Sequence, residues 1–211
     1  MSRGLSVEDI VKQIISSAKV DIETLNVNLS LSDDGVFKDM NDAIEAAALA
    51  QKQLMKFSNE KKRRIIQVIK DELNKHVEEL AKLGRDETGM GRYDHKVLKH
   101  KLVIEKTPGV EDLNAGVATG DGGMTLYELS PFGVIGSITP STNPSETIIC
   151  NSIGMIASGN AVVFSPHPGA KEVSKLAIKL INRAILLGGG PANLVTTVDM
   201  PTLDTTEIML T

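Results

Sequence analysis

The sequence is poor in aromatic side chains, which make up 3% of its 211 residues, and it has no tryptophan and only one cysteine. The scarcity of aromatic rings argues against a stacking platform for single-stranded nucleic acid. A formal net charge of −4, from 23 basic and 27 acidic residues, makes nucleic acid a poor candidate partner on electrostatic grounds as well. The basic cluster at residues 61–64 is therefore interpreted as a solvated helix face and not as a nucleic-acid site.

The lone cysteine, Cys150, excludes an internal disulfide framework and a zinc site built from several thiolates. It lies among Ile148, Ile149 and Ile153, on a predicted helix that would pack against a sheet. We therefore expect a buried, small apolar residue, because a catalytic thiol needs a depressed pKa and access to solvent. A cysteine-dependent hydrolase that uses Cys150 is the alternative.

Long apolar runs are missing too. No stretch of about 18 apolar residues, the length that a membrane-spanning helix needs, is present. Glu8 and Asp9 interrupt the place where a secretory signal would need its apolar segment. The 41% hydrophobic and 24% charged residues are typical of a folded globular chain, long enough for one large domain or one domain and part of a second. We expect a cytoplasmic protein without a membrane partner.

Residues 1–20 have the pattern of an amphipathic helix. Ser6 is a candidate N-cap, and apolar side chains recur at helical spacing from Val7 to Ala18. A helix of this length is not stable alone in water, so it needs a surface, which is either its own domain or a different protein. Residues 21–38 are mostly polar and are predicted to be a linker.

Three helices are predicted after the linker. Asp39 and Ser58 are candidate N-caps, and the helix that begins at Ser58 keeps one apolar face as far as Leu80. A third helix is predicted at 94–106, between a pair of glycines and the Pro108–Gly109 turn.

The second half of the chain alternates between strand and helix patterns. The predicted strands are a half-buried one at 124–129, one covered on both faces at 132–138, and others at 161–164 and 194–198. Helices are predicted at 146–157, at 171–187 and from Asp204 onward. This alternation predicts an α/β fold with a parallel sheet and right-handed connections, and the chain stops as the next unit begins.

Two bends follow buried strands of the predicted sheet, Thr139–Pro144 and Ser165–Gly169. Ligands of parallel sheets bind outside the carboxyl ends of the strands, so we expect the two bends to lie side by side and to face a ligand. Neither bend is a glycine-rich dinucleotide fingerprint. The pattern alone predicts a ligand-binding α/β domain and no particular reaction.

Three longer strings are more specific, namely PFGVIGSITPSTNP at 131–144, ETIICNSIG at 146–154 and GNAVVFSPHPGAK at 159–171. They resemble the aldehyde dehydrogenase superfamily, and within it the CoA-acylating acetaldehyde and propionaldehyde dehydrogenases of ethanolamine and propanediol utilisation. The resemblance implies N-terminal helices followed by a Rossmann-like, nucleotide-binding domain with a parallel sheet, incomplete at the C-terminus. It also implies that 124–130 is a strand of an oligomerisation arm, so that the complete enzyme is a homo-oligomer.

The chemistry that this resemblance implies uses NAD as cofactor and coenzyme A as cosubstrate. A cysteine thiolate attacks a short-chain aldehyde, a hydride passes to NAD, and coenzyme A takes the acyl group from the enzyme thioester. In the relatives the nucleophile follows the nucleotide-binding half, so it is expected beyond Thr211 and the present chain is expected to be inactive alone. Residues 5–18 resemble peptides that direct such enzymes to the shell or cargo of bacterial microcompartments. A non-enzymatic nucleotide-binding or scaffold protein is the alternative.

The same resemblance implies roles for particular residues. Asn143 is the candidate donor of an oxyanion hole, although counting from Pro140 places that donor on Thr142, and a further alternative is that Asn143 only caps the next helix. Many relatives bind the adenosine ribose with a lysine and a glutamate where this chain has Ser165 and Pro168, which favours NAD over NADP. The candidate cofactor-binding residues are Ile138, Thr139, Pro140, Ser141, Ser165, His167, Pro168, Thr202 and Leu203. No metal site is expected.

Overall fold

A computed structural model describes residues 34–211. The helix predicted within residues 1–20, and the predicted linker as far as residue 33, lie outside the described residues. The strands are β1 (Val36–Phe37), β2 (Gly116–Gly120), β3 (Gly123–Tyr127), β4 (Val134–Thr139), β5 (Ala161–Pro166) and β6 (Val195–Val198). The helices are α1 (Met40–Leu54), α2 (Asn59–Lys75), α3 (Val77–Thr88), α4 (Tyr93–Lys106), α5 (Pro144–Ala157), α6 (Lys171–Leu187) and α7 (Leu203–Leu210), and 3-10 turns occur at Val110–Asp112 and Pro168–Ala170.

Four strands form a parallel sheet in the order β1-β6-β5-β4. Helices α5 and α6 connect β4 to β5 and β5 to β6, so the alternating pattern predicted this part of the fold correctly. Every residue of β5 is buried, as expected for a strand with neighbours on both sides. Strand β4 lies at the edge of the sheet and leaves Gly136 and Ile138 exposed, so the expectation that it is covered on both faces is wrong.

The core lies on both faces of this sheet. Helix α1 packs on one face against β5 and β6, and its alanines at 43, 47 and 50 are buried because their small side chains let the helix approach closely. Helices α5 and α6 contact each other and the sheet, with α2, α3 and α4 packed against them. None of the helices in residues 34–211 combines the length and the apolar character needed to cross a membrane.

Both predicted N-caps are confirmed. The Asp39 side chain accepts a hydrogen bond from the Asn41 amide at 2.7 Å, and the Ser58 hydroxyl accepts one from the Lys61 amide at 3.2 Å. The helix predicted from Ser58 to Leu80 is in fact two helices, because the backbone leaves the helical region at His76 (φ −111°, ψ 9°). The apolar pattern continues across this break since α2 and α3 both face the same core.

The predicted linker at 21–38 extends too far. Val36 and Phe37 form β1, in which Val36 pairs with Thr197 of β6. Gly35 has φ +77°, and a Cβ atom there would lie 2.3 Å from both Asn182 Nδ2 and the Val195 carbonyl oxygen. The chain is therefore part of the packed domain before Asp39.

Strands β2 and β3 form an antiparallel hairpin apart from the main sheet. Strand β2 was not predicted from the sequence, and every residue of β3 is exposed, so the expectation of a half-buried strand at 124–129 is wrong. The hairpin instead makes its own local contact, because the Tyr127 ring lies where a side chain at Gly116 would stand.

Candidate functional site

The two bends lie side by side, as predicted. Thr139, the last residue of β4, is paired with Pro166, the last residue of β5. One step further, the His167 amide donates a hydrogen bond to the Thr139 carbonyl oxygen at 3.2 Å. The carboxyl ends of these parallel strands therefore present Thr139–Pro144 and Ser165–Gly169 at one edge of the sheet.

Helix α7 brings Thr202 and Leu203, the two candidate cofactor-binding residues outside the bends, to the same strands. The hydroxyls of Ser165 and Thr206 are 2.6 Å apart, within hydrogen-bond distance. Met209 lies beside Gly136 of β4, where a Cβ atom would lie 3.3 Å from Met209 Cε. Thr202 caps this helix by accepting from the Thr205 amide at 3.1 Å. Thr202 and Leu203 thus begin a helix that packs against β4 and β5.

The surface at this edge combines apolar side chains with an unsatisfied hydroxyl. Leu203 and Ile138 are 88% and 60% exposed, so both leave apolar surface open to solvent. The Thr139 hydroxyl is buried and has no hydrogen-bond partner among the described residues. Buried polar groups are almost always hydrogen-bonded, so this oxygen is an exception, and its burial keeps it out of reach of a ligand at the surface.

The His167 side chain forms a hydrogen bond within its own bend. Its Nδ1 accepts a hydrogen bond from the Gly169 amide at 3.1 Å and caps the 3-10 turn Pro168–Ala170. Because Nδ1 is used as an acceptor in this way, Nε2 is the ring nitrogen that a ligand would meet. The imidazole is exposed, and Pro168 beside it is exposed as well.

Neither bend carries a negatively charged side chain, since residues 139–144 and 165–169 contain no carboxylate. The nearby carboxylate of Asp199 is bound by the Lys175 ammonium at 2.7 Å, and this hydrogen bond and charge lower the pKa of Asp199 from its usual value. Lys171 reaches the same loop, with its Nζ 3.4 Å from the Met200 sulfur.

The N-terminus of α6, which follows the second bend, is already occupied by a carboxylate. Glu87 accepts hydrogen bonds of 2.8 Å from the Glu172 amide and of 2.8 Å from the Val173 amide. A helix N-terminus is otherwise a favourable place for a phosphate. Glu87 is distant in sequence from this helix, so the sequence analysis did not assign it a role.

Asn143 occupies the N-cap position of α5, but its side chain makes no capping hydrogen bond. Its Oδ1 instead accepts a hydrogen bond from the Lys99 ammonium, and its Nδ2 lies 3.5 Å from the Thr142 hydroxyl. The alternative in which Asn143 only caps a helix therefore does not describe what its side chain does. Thr142 is exposed, and its carbonyl oxygen lies 3.4 Å from Lys96 Nζ.

A buried polar cluster lies below this bend and was missed by the sequence analysis. His100 Nδ1 donates to the Lys96 carbonyl oxygen at 2.7 Å, and Nε2 lies 2.8 Å from the Ser145 hydroxyl. A Glu146 carboxylate oxygen lies 3.9 Å from His100 Nδ1. Burial lowers the pKa of His100, because it disfavours the charged imidazolium more than the Glu146 carboxylate favours it. The neutral ring, with its proton on Nδ1, therefore accepts from Ser145.

Cys150 is exposed, so the expectation of a buried small residue is wrong. The reason lies in the helical phase of α5, because Ile149 and Ile153 face the core while Cys150 and Gly154 lie on the outer face. Seven residues separate Cys150 from Asn143, which places the thiol about 10 Å along the helix from the first bend. Exposure alone does not make it a nucleophile, since a reactive thiol also needs a neighbouring positive charge or base that lowers its pKa.

A family model described as the aldehyde dehydrogenase family matches residues 29–211. Among curated relatives, the acetylating acetaldehyde dehydrogenase EutE of Salmonella typhimurium is 43% identical over 95% of this chain and 42% of its own length. The CoA-propanoylating propanal dehydrogenase of Citrobacter freundii is also 43% identical, over 97% of this chain and 42% of its own length.

Solved structures agree with these matches. Rhodopseudomonas palustris propionaldehyde dehydrogenase, with bound CoA and an acylated cysteine, has a TM-score of 0.81 and 52% identity over 84% of this chain and 41% of its own. A propionaldehyde dehydrogenase of a Clostridium phytofermentans fucose-utilisation microcompartment has a TM-score of 0.81 and 55% identity, with the same coverage of 84% and 41%. An engineered glycolyl-CoA reductase with bound NADP+ has a TM-score of 0.81 and 51% identity over 84% of this chain and 41% of its own.

The chain therefore spans about 42% of the length of the curated relatives that it matches. Its parallel sheet, its two adjoining bends and the helix that packs across them lie inside the region that the family model covers. Fold and sequence similarity lead to the same conclusion, which is that this chain belongs to the aldehyde dehydrogenase family.

Proposed function

We propose that this chain is the N-terminal part of a CoA-acylating aldehyde dehydrogenase and that it supplies much of the cofactor site. The observation that carries the proposal is the hydrogen bond between His167 N and Thr139 O, which joins the two bends at the carboxyl edge of the sheet. Similarity to acetylating and propanoylating relatives over nearly the whole chain gives the reaction class.

The proposed reaction converts acetaldehyde or propionaldehyde, coenzyme A and NAD+ into acyl-CoA, NADH and a proton. NAD supplies the hydride acceptor when it is bound. The attacking cysteine thiolate, which holds the acyl group as a thioester before coenzyme A takes it, is expected outside this chain. The chain alone is therefore expected to have no activity.

The residues at the sheet edge fit a dinucleotide. Thr139 is buried and is proposed to shape the first bend, whereas exposed Pro140 and half-buried Ser141 are proposed to face the ligand. Exposed Ile138 and Leu203 offer apolar surface to an adenine ring. The absence of a carboxylate from both bends avoids repulsion of the phosphates.

NAD is proposed over NADP because of Ser165. A serine carries no positive charge that could meet a 2′-phosphate, and the Ser165 hydroxyl is buried and bonded to Thr206. Exposed His167 and Pro168, together with Thr202, complete the proposed adenosine site.

Asn143 is proposed as the donor that stabilises the negative oxygen formed when the thiolate attacks the aldehyde. Its Oδ1 is held by Lys99, which leaves the two N–H groups of Nδ2 as the donors of this side chain. The exposed Thr142 hydroxyl is the alternative donor. Removal of one such donor costs about 10²–10³ in rate.

The proposed partners follow from two segments. The exposed hairpin β2–β3 is proposed to join copies of the complete enzyme, since Met124, Leu126 and Tyr127 are exposed apolar side chains at 74%, 62% and 60%. Residues 5–18 are proposed to bind microcompartment shell or cargo proteins, which would place the enzyme in the cytoplasm inside such a compartment. No nucleic-acid or membrane partner is proposed.

The experiment compares the complete protein that contains this sequence with the 211-residue chain. The complete protein is expected to form NADH from propionaldehyde or acetaldehyde only when coenzyme A is present, and the short chain is expected to form none. Binding of NAD without acyl-CoA formation by the complete protein would support the non-enzymatic alternative. Activity of the short chain would contradict the expected position of the nucleophile.

A further inference from the structure

Helix α4 presents one face to the bend that carries Asn143. Lys96, Lys99 and His100 are spaced three and four residues apart, so they share this face. Lys96 Nζ lies 3.4 Å from the Thr142 carbonyl oxygen, the Lys99 ammonium donates to Asn143 Oδ1, and His100 Nε2 lies 2.8 Å from the Ser145 hydroxyl. Helix α4 therefore contacts three of the four consecutive residues 142–145.

The contact at Asn143 determines which way its amide points. A side-chain amide has one acceptor oxygen and one NH2 donor group, whereas an ammonium can only donate. Lys99 can therefore bond only to Oδ1, and a rotation of the amide by a half turn would bring two donors together. The NH2 group of Asn143 is directed to the side of Thr142, whose hydroxyl oxygen is 3.5 Å away.

The other two contacts of α4, made by Lys96 and His100, keep the backbone of the bend in place. Lys96 and His100 are 3% and 0% exposed, and Ser145 is 1% exposed, so these partners are fixed by packing. Lys99 itself is exposed and has no such restraint apart from its bond to Asn143. The two ammonium groups also favour a negative charge that develops close to Asn143.

We propose that Lys99 is a positioning residue, which orients the Asn143 amide so that Nδ2 donates to the oxygen of the reacting aldehyde. The inference rests on the proposed function, in which Asn143 is the oxyanion donor. A preoriented donor contributes more to rate than one that must turn during the reaction, because it needs no reorganisation as charge develops.

The test uses the complete enzyme that contains this chain and compares Lys99→Met, Lys99→Arg, Asn143→Ala and the double variant Lys99→Met/Asn143→Ala. Lys101→Met is the matched control, since Lys101 is an exposed lysine of the same helix. Lys99→Met is expected to lower kcat by at least about tenfold with KM changed less than about threefold, because the contact acts on the developing oxyanion. Lys99→Arg keeps a donor and is expected to restore most of kcat.

The double variant decides whether Lys99 acts through Asn143. It is expected to be no slower than Asn143→Ala, because the lysine has no effect once the amide is gone. A full additional loss in the double variant, or an unchanged kcat in Lys99→Met beside a slow Asn143→Ala, overturns the inference and leaves the proposed function standing. Normal activity of Asn143→Ala removes the oxyanion role itself and the inference with it. If Lys99→Met does not fold, judged by its melting temperature, Lys99→Leu takes its place in the cycle, because leucine, like methionine, cannot donate to Asn143 Oδ1.

Discussion

The Glu87 carboxylate caps helix α6 at Val173, whose amide donates to it at 2.8 Å. The second carboxylate oxygen accepts from the Glu172 amide, so both oxygens are used. Two of the amide groups that every helix N-terminus leaves without an intrahelical partner are thereby satisfied by α3. The same contact ties α3 to the helix that follows the second bend.

We expect Glu87→Ala to destabilise the chain by about 1–2 kcal/mol, the usual cost of losing a capping side chain. Glu87→Gln keeps one acceptor oxygen and is expected to lose less. Urea unfolding measures the difference, with Glu45→Ala as the control because Glu45 is exposed in the middle of α1. Equal midpoints for the Glu87→Ala and Glu45→Ala variants would show that the cap contributes nothing to stability.

Gly35→Ala is expected to destabilise the domain by more than about 2 kcal/mol, because it adds a clash to the cost of a left-handed backbone. The added Cβ atom would lie 2.3 Å from a backbone oxygen. Gly89→Ala is the matched control, since Gly89 has φ +65° and nothing within 4 Å of the added atom. It is expected to cost only about 1 kcal/mol. A similar midpoint of thermal or urea unfolding in both variants would contradict the packing of residue 35 inside the domain.

The stability of the chain is expected to fall as the pH is lowered below about 6.5, the pKa of an unperturbed histidine. In the unfolded chain His100 takes up a proton as the pH falls below this value. In the folded chain burial lowers the pKa of His100, so the same proton is taken up only at a lower pH. The unfolded state then binds more protons, so stability decreases by at most about 1.4 kcal/mol per pH unit.

His100→Gln is expected to flatten this dependence, measured as the urea midpoint between pH 7.5 and pH 5. The control is His95→Gln, because the His95 side chain is 63% exposed. The interpretation fails if the two variants keep the same slope as the parent chain.

Cys150 is expected to react with an alkylating reagent under native conditions, as its exposure on α5 predicts. The Cys150→Ser variant of the complete protein is expected to keep its activity, because the proposed nucleophile lies elsewhere. Loss of activity in Cys150→Ser, with an unchanged melting temperature, would contradict the expected position of the nucleophile outside this chain.

The features that the sequence predicts correctly depend on neighbouring residues. Asp39 and Ser58 cap helices through amides two and three residues away, and α6 spans 171–187, the range that was predicted. The parallel α/β pattern predicts that the two bends leave strands at the same edge of the sheet, and the pairing of Thr139 with Pro166 confirms that they are adjacent.

The features that were missed depend on distant partners. Glu87 binds an amide 86 residues away, and Lys99 binds a side chain 44 residues away, which no local pattern reports. Strand β4 has the apolar composition of a central strand but lies at the edge of the sheet, because burial depends on strand order. Residue 35 lies in a polar segment that has the composition of a linker. Its glycine nevertheless packs directly against the backbone of β6, where no side chain would fit.

The hydrogen bond between the two bends has an evolutionary consequence, because it joins main-chain atoms of Thr139 and His167. Replacing an exposed side chain such as Pro140 or Pro168 would leave that hydrogen bond in place. In the proposed cofactor site, selectivity can therefore diverge, or be redesigned, by exchange of these exposed side chains while the spacing of the two bends stays constant.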